Sequence, residues 1–161
     1  MRGLLTITVV LLAASVSYAN SSVNPYDTCS AINEKGTTYG NECVDLVANS
    51  DYYSRHAAGA CKAIVDKGGH PYYAVQCMKH AKDAYVESHS AAVCAAMNVG
   101  SYMADCMKEI ANKTMSSGAA SFCQEKAENG DHNYYVVQCV KQVAKEYSGQ
   151  PIEEPGSGAC L

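Results

Sequence analysis

Apolar residues between about 24 and 148 recur three and four positions apart, the period of helices with one buried face. The pattern is sharpest around Cys43, Cys77, Cys106 and Cys139. Each has a tyrosine four residues earlier (Tyr39, Tyr73, Tyr102, Tyr135) and apolar residues one and four later: Val44 and Val47, Met78 and Ala81, Met107 and Ile110, Val140 and Val143. These offsets put them on one face and predict that the tyrosines pack beside the cysteines. The residues one before and two after each cysteine are polar (Glu42 and Asp45, Gln76 and Lys79, Asp105 and Lys108, Gln138 and Lys141) and fall on the other side. A second set, Cys29, Cys61, Cys94 and Cys123, alternates with the first. Its last three members follow alanine-rich turns, which favour helix and close approach of neighbours.

Between the two cysteines of each pair lies a glycine turn: Gly36, Gly68-Gly69, Gly100 and Gly130. First cysteines recur at steps of 32, 33 and 29 residues and second cysteines at 34, 29 and 33, a period suited to tandem helical hairpins. Pro71 suits a first helical position, with Ser101 and Asp131 as N-caps. The expected helices are 24–35, 38–48, 52–66, 71–87, 89–98, 101–114, 117–128 and 132–148. The fold class is therefore all-α: disulfide-stapled hairpins at about 24–48, 52–87, 89–114 and 117–148, forming a short α-solenoid-like stack within a domain spanning 20–149.

In an antiparallel hairpin, residues equidistant from the bend lie at one height. Of the 105 ways to pair eight cysteines, pairing within each hairpin is the geometrically simple one. It predicts Cys29–Cys43, Cys61–Cys77, Cys94–Cys106 and Cys123–Cys139. Each such bridge is worth on the order of 3 kcal/mol in the chain-entropy model. Cys160 remains, near the end of a tail, 150–161, whose Pro, Gly, Ser and Glu content reads as a flexible linker. It is either a free thiol or, the reading favoured here, a bridge to a second copy giving a homodimer.

Composition adds the compartment. Arg2, the apolar stretch Leu4–Ala14 and Ser17-Tyr18-Ala19 read as a signal peptide, 1–19, with Asn20 as mature N-terminus. The stretch is too short to span a membrane, so no membrane insertion is expected and the chain is placed as secreted or periplasmic. Export makes the cysteines a disulfide framework. The net charge of −4 and the lack of a basic run argue against nucleic acid as a partner. There is no C-x-x-C pair, and neither a metal site nor a cofactor is expected.

Residues 61–85 align without gaps to 123–147, with ten identities in twenty-five positions: a two-hairpin unit reads as duplicated. Glycine, cysteine and valine identities follow from the fold. His70, Tyr72, Gln76 and Lys79, with His132, Tyr134, Gln138 and Lys141, do so less readily, since they should point outward. They are the candidate binding residues, presenting matched aromatic and polar groups to a protein, peptide or glycan, while the histidines can also serve to end the hairpin turn. Asp83, Glu87 and His80, about one helical turn apart, form a weaker acid–base candidate.

The plan of exported hairpins, each with its own disulfide, resembles cysteine-rich tetratricopeptide-like repeat proteins of bacteria in architecture. Those repeats place their cysteines closer together and carry Leu-Gly and Gly-x-Gly signatures missing here, and the resemblance assigns no residue. It implies a binding role and, for some relatives, affinity for cell-wall-derived ligands. The expected function is an exported binding or interaction protein of the cell envelope or exterior. The alternatives are a small secreted hydrolase acting on cell-wall material, and a structural envelope component cross-linked through Cys160. No nucleophile elbow, zinc-protease helix or P-loop is present, so an enzyme is the less favoured class.

Overall fold

Periodicity and caps resolve into eight helices in the computed structural model, which describes residues 22–36 and 38–146. They are α1 (Pro25–Asn33), α2 (Tyr39–Ala48), α3 (Arg55–Asp66), α4 (Pro71–Ala81), α5 (Ser88–Ala96), α6 (Gly100–Ile110), α7 (Ser117–Glu128) and α8 (Asn133–Val143). Consecutive helices form four hairpins. These stack so that α1, α3, α5 and α7 lie side by side in one layer and α2, α4, α6 and α8 in the other. Alanine at Ala57, Ala58, Ala60, Ala91, Ala92 and Ala95 lets α3 and α5 sit almost wholly buried in the middle of the first layer.

The disulfides join the layers within each hairpin as the spacing predicts, with Cα–Cα distances of 5.3 Å for Cys29–Cys43, 5.5 Å for Cys61–Cys77, 5.5 Å for Cys94–Cys106 and 5.8 Å for Cys123–Cys139. All eight bridged cysteines lie in the core, beside Ile32, Ile64, Met78, Met103, Met107 and Val140. Four covalent ties in the core place the folded chain in an oxidising environment. Among the described residues no helix is long and apolar enough to cross a membrane. The expected leader, 1–19, and the tail with Cys160 lie outside the described residues.

The bends differ from expectation in one hairpin. Gly36, Gly68 and Gly130 have φ of 70°, 80° and 82°, the left-handed turn that glycine provides. Gly100 instead begins α6, after the cap Val99, so Ser101 is not the cap expected of it. A β-carbon on Gly100 would lie 2.9 Å from Ile64 Cγ2, so glycine is needed there for close packing. Asp131 is also displaced as a cap, by His132. Its amide closes the α7 turn onto the Lys126 carbonyl (3.0 Å).

Three helices stop short of the expected 87, 114 and 148, at Ala81, Ile110 and Val143. The following segments run extended; one closes the base of its own hairpin and the others lace neighbouring hairpins together. Tyr53 bridges Lys82, and β1 (Lys113–Thr114) pairs antiparallel with β2 (Lys145–Glu146), Lys113 opposite Glu146 and Thr114 opposite Lys145. Asp83 and Asn112, each six residues past the second cysteine of its hairpin, take left-handed φ of 52° and 56°. The Asp83 carboxylate accepts from the amides of Asp51 (2.8 Å) and Tyr52 (3.2 Å), and Asn112 Oδ1 accepts from the Tyr85 amide (2.9 Å).

Candidate binding face at the hairpin tips

The tips of α4 and α8 are built alike. His70 and His132 are the N-caps, and each Nδ1 accepts the amide of the residue two on, Tyr72 or Tyr134, at 3.2 Å. With Nδ1 used as an acceptor, a neutral ring carries its proton on Nε2. Capping fixes each imidazole beside the tyrosines that follow it.

The result is two edge-to-face aromatic clusters. In the first, Tyr39 of α2 lies 6.0 Å from both His70 and Tyr72, His70 lies 6.5 Å from Tyr73, and Tyr72 lies 5.4 Å from Tyr73. In the second, Tyr102 of α6 lies 5.8 Å from His132, His132 lies 6.3 Å from Tyr135, and Tyr134 lies 5.5 Å from Tyr135. Tyr72, Tyr73, Tyr134 and Tyr135 are exposed, whereas Tyr39 and Tyr102 are half-buried against the next hairpin. Between the clusters the Asn133 amide donates to Asn98 Oδ1 (2.6 Å), and Asn133 Oδ1 accepts the Asn98 backbone amide (3.1 Å), tying the α5–α6 bend to the start of α8.

The predicted residues therefore divide. His70, Tyr72, His132 and Tyr134 gather at the tips. Lys79 and Lys141 are ion-paired to the preceding helix of their own layer, Lys79 to Glu42 (2.7 Å) and Lys141 to Glu109 (3.5 Å). Gln76 and Gln138 sit half-buried one turn beyond the tyrosines. The expectation that Tyr73 and Tyr135 pack against the core is overturned: their rings extend into the exposed clusters. No sequence signal marked this, since adjacent residues of the same helices are buried together at Ala74 and Val75 and at Val136 and Val137.

The weaker acid–base candidate is taken up by the linkers. Asp83 holds two backbone amides, and Glu87 Oε2 accepts the Met115 amide (3.0 Å) and meets His89 Nε2 (3.0 Å). Burial, then Lys108, lowers the His80 pKa, an effect that Asp105 opposes. Burial, then Asp83, raises that of Tyr53, whose hydroxyl donates to the Met78 carbonyl. Burial lowers the pKa of Lys67, whose ammonium caps the end of α5 by donating to the Ala95 (2.5 Å) and Met97 (2.7 Å) carbonyls. An open groove of about 500 Å³ between α1 and α3 is lined by Asp27, Ser30, Glu34, Lys35 and the Lys62–Asp66 pair. Among the described residues no three His, Cys, Asp or Glu side chains are placed to hold a metal.

The chain matches no protein-family model, no curated protein and no solved structure. No comparison supports the expected resemblance to tetratricopeptide-like repeats, and the paired aromatic tips are the feature that bears on function.

Proposed function

We propose that the protein is exported, that its two-hairpin unit is an internal repeat, and that it works by binding an extended peptide or glycan along the tips of α2, α4, α6 and α8. One observation carries the reading: the same Tyr-His-Tyr-Tyr cluster occurs twice on one edge of the stack, with four of its tyrosines exposed. Tyrosine offers a π-face and a hydroxyl at low entropic cost. Helices of one layer pack roughly 8–10 Å apart, so clusters two helices apart lie about 16–20 Å from each other and favour a partner long enough to meet both. The core disulfides and the leader-like sequence of residues 1–19 support export.

The test is a Tyr72→Ala, Tyr134→Ala variant titrated with extended peptides and cell-wall glycan fragments. Binding seen with the parent and lost in the variant, at unchanged melting temperature, supports the reading. Unchanged binding, or loss of binding together with stability, removes it.

A further inference from the structure

Among the described residues nothing covers the outer face of the first or the fourth hairpin. At the internal junctions of the stack, side chains at fixed positions counted from the cysteines reach the next hairpin. The residue before the first cysteine is buried in hairpins one to three: Thr28, Ala60 and Val93. Thr28 shows the direction, its hydroxyl donating to the Ala58 carbonyl of α3 (3.0 Å). The tyrosine four before the second cysteine does the same. Tyr39 meets His70 and Tyr72, Tyr73 lies 3.4 Å from where a β-carbon on Gly100 would stand, and Tyr102 meets His132. In the fourth hairpin these two positions hold Phe122 and Tyr135. They are 57% and 64% exposed, more than any other large apolar side chain described, and Phe122 is the sole phenylalanine of the chain.

The first hairpin shows the opposite face. The residue three before the first cysteine is buried in the later hairpins (Ala58, Ala91, Ala120), and so is the residue one after the second (Met78, Met107, Val140). In hairpin one these are Tyr26 and Val44, both exposed. Each end thus carries apolar side chains at positions that face a neighbour at the internal junctions: those of Phe122, Tyr26 and Val44 are buried there, and that of Tyr135 is partly covered, Tyr73 keeping 37% exposure. Lys126, with its ammonium 5.2 Å from the centre of the Phe122 ring, borders one end, and the exposed Asp27 lies next to Tyr26 at the other.

We infer that copies of this chain associate head to tail, the Phe122–Tyr135 end of one seated on the Tyr26–Val44 end of the next, continuing the internal hairpin junction. Such a contact uses two different surfaces, leaves a free end on every copy and grows into chains. The association depends on concentration, as for any contact between separate copies.

The test is sedimentation of oxidised protein carrying Cys160→Ser, which removes cross-linking through the tail, between about 10 μM and about 1 mM. The mean mass should rise with concentration. Phe122→Glu and Tyr26→Glu should each stay monomeric with unchanged melting, since both side chains are exposed. An equimolar mixture of the two should form dimers and nothing larger, because each retains one intact end. A parent monomeric throughout the range overturns the inference. So does Tyr26→Glu associating as the parent does, which would mean pairing through identical ends.

Discussion

His70 and His132 do with an imidazole nitrogen what the oxygen of serine, threonine, asparagine or aspartate does at most helix starts. That role accounts for their identity in the two halves without a ligand, and it leaves the tyrosines beside them as the groups needing a functional explanation. Replacing both histidines by alanine should cost about 1 kcal/mol per cap, while asparagine at both positions should restore most of the loss. Thermal melting of the two double variants compares them directly, and equal melting would show that the caps contribute nothing. The sequence alone favoured Asp131 as the cap of α8. It missed because the left-handed Gly130 commits the Asp131 amide to the Lys126 carbonyl, and the Asp131 carboxylate pairs with the Lys126 ammonium (3.3 Å). A competing hydrogen bond from the helix that is ending decided where the next one began. At Gly100 the deciding factor was crowding by Ile64 and Tyr73, which a one-dimensional reading does not register.

At the scale of elements, cysteine spacing gave the hairpins and their pairing because a disulfide and a short bend are both local constraints. Helix ends were overrun for a physical reason. Ala84 and Val86 are buried in an extended segment, and two apolar residues two apart are too few to separate a strand period from a helical one. α4 ends where Lys82 turns extended, and Asp83 follows with a left-handed backbone and a carboxylate that collects two amides of the linker before α3. Asp83→Ala loses both hydrogen bonds and strains the backbone, so urea denaturation should show a loss of about 2 kcal/mol. Asp83→Asn keeps an acceptor oxygen and tolerance of that conformation, and should lose less than half as much. Matching losses would mean that the carboxylate charge, and not the lacing geometry, holds the linker.

For the whole molecule, contacts run between consecutive hairpins, so the second and third are held from two sides and the first and fourth from one. The Cys61–Cys77 and Cys123–Cys139 bridges both span 16 residues, and chain entropy assigns them the same contribution, about 3 kcal/mol. Position in the stack is then the main difference between them. Removing Cys123–Cys139 by alanine substitution should free the last hairpin alone: amides of α7 and α8 exchange rapidly while those of α3 to α6 keep their protection, as in an array with nearest-neighbour coupling. Removing Cys61–Cys77 takes support from the hairpins on both sides, so protection should fall from α1 through α6. Hydrogen exchange on the two variants decides the matter, and the same exchange pattern in both would mean that the stack unfolds as one unit with no weak end. A weak end matters for the proposed head-to-tail contact, because α7 and α8 carry Phe122 and Tyr135. If the last hairpin opens first, a copy seated on it adds the second flank that the inner hairpins already have, and protection of α7 and α8 in the intact protein should rise with concentration.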